Sequence, residues 1–398
     1  MHKTPNYFFN DKILARLLDK LTTPCYLYDL CLLDDTLKAV RLSSTKYSTH
    51  PVLIHFAVKA NNHPRLLEFI SKYQLGADCV SGGEINEALQ NKFEAQHIVF
   101  AGVGKLDWEI ELALNKGIYA FNVESIQEIE VINYLAGKLN KIAKIFIRIN
   151  PDIDAKTHKH ISTGMCSNKF GVNFIDLLNY LPHLAIHKNI KFIGLHYHVG
   201  SQITDFTVYR NLCLEINENY AVLANKGINL TDIDLGGGLG VDYVNPEGNP
   251  IANFDEYFTT IVQNLFIPKN VKLHFEFGRS IIAQSGLLLS NVIFTKTTGN
   301  TNFVIIDAGM NDLMRPALYN AKHKIIKINE TNYHNKILYN IAGPICESTD
   351  IFASGVYLPR LHRGNTVAIL SCGAYGRVLA NTYNSRKMVS EYFIQDLT

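Results

Sequence analysis

The sequence predicts an α/β protein: a closed (β/α)8 barrel of the TIM type, followed by a C-terminal all-β domain. Two observations carry this. Between about residues 50 and 278, short apolar runs rich in β-branched residues alternate with stretches of helical periodicity, the pattern of βα units on a parallel sheet. After residue 278 the texture changes to β-branched runs and turns with few helical stretches.

In chain order the predicted strands are VLIHFAV (52–58), GADCV (76–80), HIVFA (97–101), YAFNV (119–123), KIFIRI (144–149), KFIGLHYHV (191–199), DIDLG (232–236) and KLHFEF (272–277). Segments such as PRLLEFISKY, GEINEALQN, ESIQEIEVINYLAGK and FDEYFTTIVQNLF separate them, with apolar residues at three- and four-residue spacing. Eight such units suggest closure into a barrel, with a doubly wound open sheet as the alternative. Beyond them, IIAQSGLLLSNVIFT, NFVIID, KIIKI, ILYNIAG and TVAILS read as strands of a β domain. PCYLYDL near the start is one more short strand that precedes the barrel. The expected division is 1–30, an N-terminal segment; 31–278, the barrel; and 279–398, the β domain.

The 398 residues are 47% hydrophobic and only 19% charged, enough apolar material for a large core and against disorder as the main state. Lys plus Arg number 38 against 36 Asp plus Glu, with no run of like charge, so neither nucleic acid nor an anionic membrane is suggested. The opening MHKTPNYFFNDKILARLLDK interrupts its apolar residues with charge, so no signal peptide is expected. Seven scattered cysteines without a C-x-x-C pair fit a reducing cytoplasm.

In a barrel of this kind the reacting groups lie at the C-terminal strand ends, and the unusual polar residues fall there. Lys59 follows the first strand, Asp78 and Ser81 the second, Asn122 the fourth, Arg148 and Asn150 the fifth, His196 and His198 the sixth, Gly236–Gly238 the seventh and Glu276 the eighth. A partly desolvated Lys59 can attack an aldehyde, or be an ordinary lysine at a strand end. His196 and His198, two apart on a strand, should share a side. They could bind a metal with Asp234 or Glu276, or one could lay its face on an aromatic cofactor. Gly200 and Ser201, and the run Gly236–Gly238 with Gly240, suit a phosphate. Glu276 could hold a protonated ring nitrogen, and Arg279 could neutralise an anion. An amine, a stacking imidazole, a phosphate cradle and a carboxylate for a ring nitrogen together describe a pyridoxal phosphate site.

Through FAVKAN, GADCVSGGE, GVGK, NKFGV, GLHYHVGSQ, DLGGGLG, EFGRS, DAGMNDLMRPALY, GPICESTD and CGAYG, the chain resembles the diaminopimelate decarboxylase family. That family belongs to the pyridoxal phosphate enzymes with an alanine-racemase-like barrel, which also include ornithine and arginine decarboxylases. The resemblance implies decarboxylation of meso-2,6-diaminopimelate to L-lysine and CO2, the last step of lysine biosynthesis. It implies that Lys59 carries the cofactor's aldehyde, His198 stacks on the pyridine and Glu276 partners its nitrogen. Asp78, Ser201, Gly238, Gly278 and Arg279 are implied as further cofactor contacts, with Tyr375 closing the cofactor site. Cys346 is similar to the family's proton-donating cysteine, delivered by the second subunit of a homodimer. Arg279, Arg315, Tyr319, Glu347 and Tyr375 match its substrate contacts, and the N-terminal strand is implied to join the β domain.

Three departures are visible: Phe277 where Pro is usual, His160 for Tyr, and Arg377 after CGAYG, which would add a cation near Tyr375. The alternatives are a decarboxylase of the same fold acting on ornithine, arginine, a D-amino acid or a carrier-bound one; a metal-dependent hydrolase built on His196 and His198; and a cofactor-carrying binding protein without turnover. No resident metal is expected.

Overall fold

The computed structural model describes Tyr7 and residues 11–151, 169–329 and 336–397. The departure at His160 therefore lies outside the described residues. The chain divides into two compact units, one of Leu37–Gly240 with Asn253–Gly278, the other of Met1–Thr36, Val241–Ala252 and Arg279–Thr398.

The first strand, β1 (Cys25–Tyr28), belongs to the second unit. The first unit is the barrel, built from β2 (Val52–Ala57), β3 (Gly76–Cys79), β4 (Ile98–Phe100), β5 (Ala120–Val123), β6 (Ala143–Arg148), β7 (Ile190–His196), β8 (Asp232–Asp234) and β9 (Lys272–Phe277). Each strand pairs in parallel with its neighbour, and β2 closes on β9 with Val52 opposite Leu273. All eight strands expected from the apolar runs are present, most of them a residue or more shorter.

Local sequence explains two of the strand-to-helix turns. Ser81 and Ser125 cap the helices Gly82–Gln90 and Ile126–Lys138, their hydroxyls accepting the N–H of Glu84 and Glu128 at 3.2 Å. The same glutamates reach back to the N–H of Val80 (2.8 Å) and Glu124 (2.9 Å), so each Ser-x-x-Glu satisfies one N–H of the first helical turn and one of the residue before the cap. Ser81 is thus a capping residue. Phe277, which stands where Pro is usual, is the last residue of β9, and its ring packs edge-on against Phe254 and Tyr257 at 5.5 and 5.3 Å.

The second unit contains a sheet of β10 (Gly286–Thr298), β11 (Thr301–Ile306), β12 (Ile325–Lys327), β13 (Lys336–Ala342), β14 (Ile351–Pro359) and β15 (Thr366–Ile369), in the order β12-β15-β10-β11-β13-β14. The short strand β1 runs antiparallel to β10 and parallel to β16 (Ser390–Phe393), with Cys25 opposite both Leu289 and Ser390. Its place is fixed by burial: Cys25 and Leu27 join Leu14, Leu17, Leu287, Leu289 and Leu370 in one apolar cluster. Among the described residues no helix is long and apolar enough to cross a membrane.

Candidate active site

The barrel unit gathers its polar side chains at the C-terminal strand ends. Lys59 sits in a single turn, Val58–Ala60, directly after β2, and its ammonium meets Asp78 Oδ2 at 3.1 Å. Asp78 is fully buried; burial first and the charge of Glu276 next raise its carboxyl pKa, with Lys59 opposing. Gly278 lies against the two alanines beside this lysine, leaving a Cβ there only 3.0 Å from Ala60 and 3.1 Å from Ala57.

Glu276, on β9, is buried yet held as a carboxylate. Asn122 Nδ2 donates to Oε1 at 2.9 Å and His196 Nε2 meets Oε2 at 3.3 Å. Burial alone would raise its pKa, but His196 first and Lys59 next reverse the sign and hold it well below the usual carboxylate range. Asp234 shares the cluster, and burial and the Glu276 charge push it well above that range, so it keeps its proton. Ligand atoms of His196, Asp234 and Glu276 lie within 4.8 Å of one another.

The two histidines do not share a strand. β7 ends at His196, and His198 lies beyond it in the loop, so the expected same-side pair of metal ligands is not formed. His198 Nδ1 accepts the Gly237 N–H at 3.3 Å, which places its ring proton on Nε2. Burial, then Arg148 and Lys59, lower its pKa far enough that the ring is neutral. The loop carrying Ser201 is tied to the glycine run by Ile203 N–H to Gly238 O and Gly240 N–H to Ile203 O, both 2.9 Å. The glycines are required: a Cβ on Gly237 would lie 2.0 Å from the Glu276 carbonyl, and Gly238 has φ +103°.

Sequence reasoning missed two ion pairs behind this face. Lys105 has a completely buried ammonium bonded to Gly102 O, Asn122 O (2.8 Å each) and Glu128 Oε1 (2.6 Å). Arg148 Nη1 meets Glu124 Oε1 at 2.7 Å, both buried, and Glu124 also accepts the Gly171 N–H. Lys105 stands in the GVGK motif and Glu124 two residues after Asn122, so both were visible as charges beside strand ends.

The β unit holds the remaining residues. Arg279 is buried, donates to the Tyr243 hydroxyl at 2.7 Å and lies 4.9 Å from the Tyr375 ring centre; Tyr375 has φ +55°. Arg315 opens the short helix Arg315–Tyr319, packs over Tyr243 at 5.0 Å and donates to His323 Nε2 at 2.8 Å. Tyr243 and His323 carried no sequence signal beyond their residue type. Tyr319 is half-buried, whereas Cys346 and Glu347 are exposed; Glu347 accepts the Tyr383 hydroxyl at 2.6 Å. Arg377 pairs its Nε with Glu391 at 3.3 Å.

Residues 35–283 match the family described as "Pyridoxal-dependent decarboxylase, pyridoxal binding domain". The chain is 46% identical to diaminopimelate decarboxylase of Bacteroides thetaiotaomicron, covering 95% of this chain and 97% of that one. It is 39% identical to that of Aquifex aeolicus, over 98% and 90%. The chain belongs to the pyridoxal-dependent decarboxylases. Within them it superposes on diaminopimelate decarboxylase of Helicobacter pylori complexed with L-lysine with a TM-score of 0.87, 37% identity and coverage of 96% and 98%.

The cofactor of this decarboxylase family is pyridoxal phosphate, and the barrel residues fit it. Asp78 Oδ1, Asn122 Oδ1 and His196 Nδ1 are buried without a hydrogen-bond partner among the described residues, around a carboxylate kept ionised. A metal-dependent hydrolase and a binding protein without turnover are set aside, because the family and the relatives are decarboxylases.

Proposed function

We propose that this decarboxylase acts on meso-2,6-diaminopimelate, releasing CO2 and leaving L-lysine. The observation that carries the substrate is Arg315, a buried guanidinium that makes no ion pair among the described residues. A buried cation is costly unless an anion answers it, and the second carboxylate of diaminopimelate does so. Ornithine, once decarboxylated at its single carboxyl, has none to offer. The relatives named above support the same substrate.

Bound pyridoxal phosphate supplies an electron sink for the charge left on the substrate α-carbon as CO2 departs. The chain's own residues then take these roles. Lys59 carries the cofactor's aldehyde, with Asp78 steadying its ammonium beforehand. Ionised Glu276 holds a proton on the ring nitrogen, and neutral His198 offers a flat face that brings no competing charge. Ser201, Gly238, Gly278 and Arg279 donate to the phosphate, and Tyr375 closes the cofactor site. Cys346 returns a proton to the α-carbon. Arg279, Arg315 and Tyr319 hold the distal carboxylate, with Tyr375 beside it, and Glu347 takes the distal ammonium.

The protein works as a homodimer in which Cys346 and Glu347 serve the neighbouring subunit, and it resides in the cytoplasm, where the free thiols of its described cysteines persist. The test is CO2 release from a panel of meso-diaminopimelate, ornithine, arginine and D-amino acids. Release from meso-diaminopimelate at least a hundredfold faster than from the others is expected; equal release from ornithine overturns the substrate.

A further inference from the structure

Arg315 is held by neutral groups, and His323 decides how. The ring is buried, and its Nδ1 lies 2.8 Å from the Leu370 carbonyl, which can only accept. The ring proton therefore sits on Nδ1, and bare Nε2 accepts from Arg315 Nη1 at 2.8 Å. Burial, then the Arg315 charge, push the His323 pKa down to about 3, so the ring stays neutral at any pH the protein meets. Tyr243 completes the setting: its ring lies under Arg315 and edge-on to His323, at 5.0 Å from each.

An arginine in a protein interior is usually oriented by a carboxylate, which aims it and cancels its charge together. A neutral imidazole aims it and cancels nothing. We propose that His323 is a specificity-determining positioning residue, which fixes the Arg315 guanidinium while leaving its full charge to a carboxylate of the substrate. This rests on the reading of Arg315 as a substrate contact.

The test compares binding of L-lysine and of 1,5-diaminopentane, the same chain without a carboxylate, to the holoenzyme by calorimetry. The unchanged protein should prefer L-lysine by roughly ten- to a hundredfold, the value of a charge-assisted contact. His323→Gln, which keeps a neutral acceptor, should hold that preference within about threefold. His323→Glu, close in size to Gln but anionic, should abolish it by discharging Arg315, and His323→Leu should reduce it by loosening the guanidinium. In both, affinity for diaminopentane and kcat should change little, while KM for meso-diaminopimelate rises in step with the lost preference. A role confined to stability would penalise both ligands alike. Because His323→Leu also takes the imidazole donor from the Leu370 carbonyl, the Gln and Glu pair decides if that variant does not fold. A His323→Glu enzyme that prefers L-lysine as strongly as the His323→Gln enzyme overturns the proposal while Arg315 keeps its role. An unchanged protein without any preference overturns both.

Discussion

Replacing Lys105 by Met keeps the length of the side chain and removes its charge. The ammonium is completely buried and the Glu128 side chain only 11% exposed, so Lys105→Met leaves a largely desolvated carboxylate without its cation and takes a donor from two carbonyls. Removing one partner of a buried pair costs about 3–5 kcal/mol. For a unit of about this size each kcal/mol lowers the melting midpoint by about 2–4 °C, which gives a fall of roughly 6–20 °C. The loss should depend on pH. Burial already raises the Glu128 pKa against the pull of Lys105, and without the ammonium it rises further. A group whose folded pKa lies above its unfolded one favours the folded state below the unfolded pKa and loses that advantage as pH climbs through the folded value. The variant should therefore be penalised less at pH 5 than at pH 8. Calorimetry of the cofactor-free protein at both values measures this. A shift below 2 °C at pH 8, or a larger one at pH 5, refutes the reasoning. Because Lys105 also holds the Asn122 carbonyl while the Asn122 amide holds Glu276, the variant should bind pyridoxal phosphate more weakly.

Four further outcomes are expected. Borohydride reduction of the holoprotein followed by peptide mapping should label Lys59; a label on Lys105 or Lys169 would assign the aldehyde elsewhere. Cys346→Ala should lose most turnover and keep the cofactor's absorbance, and a fully active variant removes the thiol from the proton step. Mixing inactive Lys59→Ala and Cys346→Ala subunits should restore activity, since a mixed dimer has one intact site; mixed dimers that form and stay inactive argue against shared sites. Arg315→Lys, which cannot give two parallel bonds, should raise KM for meso-diaminopimelate roughly ten- to a hundredfold with an unaltered cofactor spectrum. Wild-type kinetics in that variant would leave the distal carboxylate without its partner.

The barrel was legible because each strand is a short apolar run ending in polar residues that face one end, and a parallel strand buried on both sides leaves that plain signature. The ring of Lys59, Asp78, Asn122, His196 and Glu276 could be found for the same reason. His198 was assigned to a strand because Val199 after it prolongs the apolar run, yet the strand ends at His196 and the His198 imidazole accepts the Gly237 amide from the loop beyond. Lys105 and Glu124 escaped notice because a charge beside a strand end looks alike whether it faces solvent or a buried partner far along the chain. Tyr243 and His323 were beyond reach for a related reason. Their meaning lies in what surrounds Arg315, a property of three-dimensional packing that no local pattern encodes.

The placement of β1 has a consequence for how the chain is made. Leu30, just past this strand, gives its N–H to Gln395 Oε1, 365 residues further on, and β1 itself pairs with β16 near the other terminus. At about 5–20 residues per second, roughly 20–70 s of synthesis separate the two. The barrel strands, each paired with its neighbour in the sequence apart from the closing β2–β9 contact, can assemble on the ribosome as they emerge. Throughout that interval β1 is a short apolar strand lacking its last partner, and such an edge invites pairing with other chains. The nascent protein is thus most in need of a chaperone at this strand, and a ribosome stalled before residue 390 releases a chain whose β1 is paired with β10 on one edge and open on the other.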